Sequence, residues 1–328
     1  MHFCLLFIRN RCVMPIKIPD QLPALSVLDN ENIFVMSEHR AISQEIRPMQ
    51  VAILNLMPNK IETEVQVLRM LSNTPLQINI EFIRIHANES KNTPTEHLDT
   101  FYHLFDDIKH KQYDGLIVTG APLALLDYSQ VTFWDKICEV FDWAEKNVTS
   151  TMFSCWAAHA ALYHHYGLNR HLREEKLSGV YKHKALDEKE PLTRGFDENF
   201  NVPHSRYGYI DKLDYESISQ IQILAESEDA GVYLAASKNK QQVYLTGHPE
   251  YDTCTLHEEY LRDSLSDDDA PIPKNYYKED DVNNSPEGSW RSHGSLLFTN
   301  WLNYYVYQIT PYKLDASNIK AIHPDTVI

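Results

Sequence analysis

Ser150-Thr-Met-Phe-Ser-Cys155-Trp-Ala-Ala-His-Ala-Ala-Leu162 runs from a β-rich segment straight into a helix-forming one, and a cysteine occupies the join. The first turn of a helix leaves backbone N–H groups unpaired and carries the positive end of the helix dipole. A cysteine placed there therefore favours its thiolate, with donors at hand for an oxyanion. A strand-turn-helix join also exposes a nucleophile above an α/β sheet. The helix predicted over 156–166 stops at Gly167.

Outward from this join the pattern alternates. Residues 50–56, apolar apart from Gln50 and Asn55 and closed by Met57-Pro58, read as a strand buried on both faces. In 61–71, Ile61, Val65, Leu68 and Leu71 recur at helical spacing, while 78–85 alternates as a strand. A helix over 95–108, a short strand over 115–118, a helix over 132–144 and a strand over 151–154 follow. This order predicts an α/β, doubly wound, mostly parallel sheet with helices on both faces and functional sites at the carboxyl ends of its strands.

Beyond Lys176 the texture shifts to extra short strands, at 177–183, 200–203, 221–225, 232–236 and 243–246. Residues 264–288, rich in Asp, Pro and Asn, read as a long surface excursion. The aromatic-rich stretch 294–307 reads as a helix packed on the core, with 301–307 suited to either core or interface. The chain reads as a single domain over 14–312 with a tail at 313–328. Met14 is the expected true start, which makes residues 1–13 an upstream extension.

Composition narrows the function classes. The 328 residues are 43% hydrophobic and 23% charged, the balance of a soluble globular protein. No stretch reaches the roughly 18 apolar residues that span a bilayer. A net charge of −16 argues against nucleic acid or an anionic membrane as partner, because both require basic patches. The five cysteines, Cys4, Cys12, Cys138, Cys155 and Cys254, are odd in number and lack a CxxC pair, so a reducing, cytoplasmic compartment is expected. Cys138 and Cys254 read as small buried hydrophobes.

Cys155 has companions. After the strand-like 243–245, Thr246-Gly-His248-Pro-Glu250 puts an imidazole and a carboxylate on one rim. In a Cys-His-Glu arrangement the imidazole takes the thiol proton, while the carboxylate fixes the ring tautomer and stabilises the imidazolium. Gly120-Ala121-Pro122 makes a turn after a third strand, and the N–H of Ala121 can join that of Trp156 in an oxyanion hole. His159, His164 and His165 invite a metal reading, but the adjacent pair points to different helix faces and no ligand-spaced carboxylate joins them; no metal is expected.

The segments 118–122, 153–156 and 246–250 resemble the homoserine O-acyltransferase family of methionine biosynthesis, in its homoserine O-succinyltransferase group, which has the class I glutamine amidotransferase-like fold. The resemblance extends through Asn55-Leu-Met-Pro-Asn-Lys60, Lys176-Leu-Ser-Gly-Val-Tyr181, Pro203-His-Ser-Arg-Tyr207 and Trp290-Arg-Ser-His-Gly294. It implies Cys155 as acyl-thioester nucleophile, His248 as general base and Glu250 as its partner, with Lys176, Ser205 and Arg262 contacting substrate. It further implies succinyl transfer from succinyl-CoA, a co-substrate, to the hydroxyl of L-homoserine, with no resident cofactor and a homodimeric assembly.

Residue 124 is the position the family associates with donor choice, glutamate going with acetyl-CoA and glycine with succinyl-CoA. Ala124 neither narrows the pocket nor repels a carboxylate, which favours succinyl-CoA and leaves acetyl-CoA, and serine as acceptor, as alternatives. A glutaminase subunit is disfavoured: Phe153 and Ala157 stand where glutaminases carry glycines, and His159 where they often carry glutamine. A non-catalytic scaffold would have no use for the intact Cys, His and Glu set.

Overall fold

A computed structural model describes residues 16–19, 21–30, 36–37, 47–86, 92–266 and 270–310. The expected extension 1–13 and tail 313–328 lie outside the described residues. In chain order the first half comprises β1 (Ile16–Ile18), α1 (Ala24–Asn30), β2 (Met36–Ser37), β3 (Met49–Leu54), α2 (Lys60–Leu71), β4 (Ile78–Arg84), α3 (Thr95–Phe101), β5 (Tyr102–Leu104), α4 (Phe105–Ile108) and β6 (Tyr113–Val118). Then come α5 (Trp134–Asn147), β7 (Val148–Ser154), α6 (Trp156–Tyr166), β8 (His171–Ala185), β9 (Asn199–Tyr209) and α7 (Lys212–Ser217). The chain closes with β10 (Ile221–Ser227), β11 (Gly231–Ser237), β12 (Gln242–Leu245), α8 (Thr255–Ser264) and α9 (Arg291–Asn300).

The strands form one sheet in the order β2-β1-β4-β3-β6-β7-β12-β11-β10-β8-β9, with β5 paired to β4. Pairing is parallel from β2 through β12 and antiparallel from β12 to β9. The doubly wound sheet is therefore as expected, and the short strands of the second half extend it on one side. Successive side chains along a strand point to opposite faces, and the core divides accordingly. Ile53, Ile117, Met152 and Val243 pack with α2, α9 and Trp301. Leu54, Leu116, Phe153 and Tyr244 pack with α5 and α6. The central strands β6, β7 and β12 are buried along their whole length, which is why they read as continuous apolar or small-residue runs.

Two expectations change, and a third is narrowed to one of its alternatives. The helix over 95–108 is interrupted by β5, because Tyr102 pairs with Phe82 of β4 and its hydroxyl donates to Glu64 at 2.6 Å while accepting from Asn55 at 3.0 Å. A buried tertiary partner thus overrides a helical period. The excursion 264–288 is not purely surface: Tyr276 and Tyr277 are buried with Val180, Tyr251, Leu256 and Trp290 in a third apolar cluster. The aromatic stretch after α9 is core, since Trp301, Leu302, Tyr305 and Val306 are buried in a π-helical continuation over Trp301–Tyr307. Among the described residues no helix is long and apolar enough to cross a membrane.

Candidate active site

β7 ends at Ser154 and α6 begins at Trp156, which leaves one residue to turn the chain. Cys155 does so at φ 49° and ψ −111°, a conformation few side-chain-bearing residues adopt and one that costs roughly 1–3 kcal/mol. Its N–H donates to the Leu245 carbonyl at 2.6 Å, and its carbonyl accepts from the N–H of His159 at 3.2 Å. The first bond ties the join to β12; the second opens the helix. Both hold the strained residue in place.

The parallel register sets Leu245 of β12 beside Ser154 of β7, so the residues after each strand emerge together. Beyond β12, Thr246 bonds to Tyr233 and Val232, and the N–H of His248 donates to the Pro203 carbonyl at 2.8 Å. His248 Nδ1–H donates to Glu250 Oε1 at 2.8 Å. The other ring nitrogen is left for the Cys155 side chain, which lies near enough to act on the charge of the ring. Burial by itself would lower the His248 pKa; the Cys155 sulfur and the Glu250 carboxylate outweigh it, and the imidazole is held charged well above its ordinary range. Glu250 sits behind the histidine, where it lines a small pocket together with Ser154, Thr63 and Phe298.

The turn after β6 closes on this pair. A methyl group at Gly120 would press on Cys155 Cβ at 3.3 Å and touch His248 Cε1 at 3.7 Å, so this turn packs directly on both side chains. Ala121, Ala124, Cys155, Trp156 and His248 all line a cleft of about 680 Å³ at the carboxyl ends of the strands. Lys176 of β8, Ser205 of β9 and Arg262 of α8 line it as well. Eight of the nine expected site residues thus face one cavity, and Glu250 supports it from behind.

Two acidic residues absent from the sequence reading organise the far wall. Glu259 accepts from the Ser205 hydroxyl and from the Tyr251 hydroxyl, the latter at 2.8 Å, and lies 3.5 Å from Lys176 Nζ. Asp263 accepts from Lys176 at 2.6 Å and from Arg262 at 2.9 and 3.1 Å. Glu259, Arg262 and Asp263 share one face of α8 at spacings of three and four, a sequence signal that marks them as neighbours. The Arg262 side chain is 66% exposed, at the rim of the cleft.

The remaining candidates separate. His164 bonds Asp142 and His165 faces Glu145, while His159 lines the cleft, so the three histidines do not converge. Cys138 is half-buried, with its thiol pushed up to about 11 by burial and then by Asp142 and Asp135. Cys254 is exposed rather than buried, because it caps the start of α8 at the surface.

The chain resembles solved structures of glutamine amidotransferases. A Thermotoga maritima glutamine amidotransferase superposes with a TM-score of 0.52 at 12% identity, covering 78% of this chain and 98% of that one. A glutamine amidotransferase from Methylobacillus flagellatus gives 0.51 at 8% identity, covering 79% and 95%. These likenesses place the fold as class I glutamine amidotransferase-like. Sequence relatives are far nearer. A homoserine O-succinyltransferase of Alteromonas mediterranea is 60% identical over 92% of this chain and 96% of its own length. That of Pseudoalteromonas atlantica is 59% identical over 94% and 100%. The family model described as homoserine O-succinyltransferase matches residues 15–312. The cleft with its Cys-His-Glu line therefore sits in a chain that belongs to the homoserine O-succinyltransferase family.

Proposed function

We propose that this protein moves a succinyl group from succinyl-CoA to the hydroxyl of L-homoserine, giving O-succinyl-L-homoserine for methionine biosynthesis, through an acyl group held on Cys155. The observation that carries this reading is the meeting of Cys155, His248 and Glu250, with His248 bonded to Glu250 and its charge favoured by the Cys155 sulfur, in a cleft with Lys176, Ser205 and Arg262 on its far wall.

In the first half-reaction the Cys155 thiolate attacks the thioester carbonyl. The oxyanion forms against the N–H groups of Ala121 and Trp156, and the departing CoA sulfur takes the proton held by His248. One thioester replaces another, so the step is nearly balanced in energy. In the second, neutral His248 removes the homoserine hydroxyl proton, and the alkoxide attacks the acyl carbon. Cys155 leaves as thiolate beside a recharged His248, and the resting pair is restored. Arg262 pairs with the amino acid's carboxylate in a charge-assisted bond, with Lys176 and Ser205 completing that wall. The chemistry needs no resident cofactor or metal. We further propose a cytoplasmic homodimer.

The test is CoA-thiol release with succinyl-CoA and acetyl-CoA, each against homoserine and serine, with glutamine-dependent ammonia release run in parallel. Fastest release with succinyl-CoA and homoserine is expected. Faster turnover with acetyl-CoA, with serine or of glutamine overturns the assignment.

A further inference from the structure

Beside Cys155, one wall of the cleft carries three buried nitrogen atoms without a hydrogen-bond partner among the described residues. Trp156 and His159, neighbours on the first turn of α6, are each 2% exposed and line the cleft. Trp156 Nε1 and His159 Nε2 have no hydrogen-bond partner among the described residues. Arg170, on the connection from α6 to β8, lines the same cleft. Its Nη2 donates to the Leu126 carbonyl and its guanidinium lies 4.6 Å above the Tyr128 ring, but its buried Nη1 is unpartnered and no carboxylate pairs with it among the described residues. The three are contiguous. A methyl group at Gly208 would come within 3.1 Å of His159 Nδ1 and 3.4 Å of Arg170 Cδ, and Trp156 lies one turn from His159.

Among the described residues the charge of this wall is positive and no carboxylate compensates it. His159 is neutral, its pKa driven down to about 3 by burial and then by the cations of Arg206 and Arg170. Arg206 behind it is buried and spends its donors on the carbonyls of Gly208 and Ala230, at 2.5 and 2.6 Å, and on His204. Buried donors are nearly always paired in folded proteins, and a cluster of them around a planar guanidinium fits a planar anion with several acceptor oxygens. The location narrows the choice. Trp156 directly follows Cys155, and Arg170 is bonded to the segment after β6 that carries Ala121 and Ala124.

We infer that Trp156, His159 and Arg170 form the subsite for the terminal carboxylate of the donor's acyl group, and that Arg170 is a specificity-determining residue for dicarboxylic over neutral acyl thioesters. This rests on the reading of Cys155 as the acyl carrier. A neutral acyl chain leaves the same donors unpaired, and a site built to hydrogen-bond a group discriminates strongly against the analogue that lacks it.

Binding separates this inference from the catalytic reading. In a Cys155→Ala background, which blocks transfer, the affinities of succinyl-CoA and butyryl-CoA are measured by calorimetry. A preference for succinyl-CoA on the order of 10²-fold is expected. Adding Arg170→Gln should bring the two donors to near parity, and Trp156→Phe, which removes one N–H, should cut the preference by about 10-fold. No preference in Cys155→Ala itself, or an unchanged one in Arg170→Gln, overturns the subsite. So does an equal loss of both donors in a folded Arg170→Gln protein, which would mean that Arg170 reads the phosphates of CoA. Should that variant fail to fold, an unchanged preference in Trp156→Phe overturns it. Wild-type turnover is assayed separately, and its absence would count against the transferase reading while the binding ratio still decides the subsite.

Discussion

The ring of Tyr251 lies stacked on that of His248, with centroids 4.2 Å apart and 18° between planes. The Tyr251 hydroxyl donates to Glu259, which also accepts from Ser205, and its carbonyl accepts from Trp290 Nε1 at 3.0 Å. The proposed base and the proposed acceptor wall are therefore one connected unit. Burial, then the negative charge of Glu259, keeps the Tyr251 hydroxyl protonated well beyond its ordinary range, so it serves as a donor throughout the neutral range.

Cys155→Ala should abolish transfer, lowering kcat by on the order of 10⁴-fold or more as nucleophile removal does in comparable triads. Intact-mass measurement after succinyl-CoA alone should show one succinyl group on the wild type and none on the variant. An adduct on the variant, or full turnover without one, contradicts the acyl-cysteine scheme.

Glu250→Gln keeps an acceptor for His248 Nδ1 but removes its charge, and kcat should fall by about 10²–10⁴-fold. The His248 pKa is raised, so its charged form persists at neutral pH and is lost as pH rises through the elevated value. In Glu250→Gln that loss should move to lower pH, read as a shifted pH profile for alkylation of Cys155 by iodoacetamide. An unshifted profile would remove Glu250 from its role.

Gly294 of α9 packs directly on the His-Pro-Glu turn: a Cβ there would stand 2.5 Å from the Pro249 carbonyl oxygen. Since that neighbour is backbone, Gly294→Ala must shift either α9 or the segment between His248 and Glu250, and displacement of the segment is the expected outcome. Stability should fall by about 1–3 kcal/mol, and kcat by about 10²-fold, as for small misplacements of catalytic groups. Denaturant melts and steady-state kinetics check both, and unchanged kcat would mean that α9 yields instead of the turn.

Ala124→Glu brings a carboxylate to the segment bonded to Arg170, where it would repel a dicarboxylic acyl group and compete for the guanidinium. The ratio of kcat/KM for succinyl-CoA over acetyl-CoA should drop by about 10–200-fold, the range of a single pocket change. A constant ratio would place donor selection elsewhere.

Acid should destabilise the fold through its buried histidines. His159 is held down to about 3 by burial, Arg206 and Arg170, and His183 to about 4 chiefly by burial; His204, buried beside Arg206, also lies well below its ordinary value. Depressed values mean that the unfolded chain binds these protons first, so stability is full above about pH 6.5 and falls as pH drops toward the folded values, by up to about 1.4 kcal/mol per unit for each group. His248, with its value raised, is charged in both states below that point and adds no slope there. The melting temperature should decline from pH 7 to pH 5. A flat profile would refute this.

The chain's local order decided the elements. Period-two and period-3.6 patterns record which face of each segment is apolar, a property of near neighbours, and so the strand ending at Ser154 and the helix Trp156–Tyr166 were legible to the residue. Cys155 was legible for the same reason: one residue between strand and helix must turn the chain. His248 and Glu250 were legible because they share a turn. What only the tertiary structure decided lies between segments: Tyr102 drawn into the sheet, Glu259 linking Ser205 to Tyr251, Gly294 under Pro249, and Arg170 beside His159. Such meetings depend on the lateral order of strands and the packing of helices across them. Both are set by burying apolar surface over the whole chain, and no local period encodes which distant charge is left without a partner.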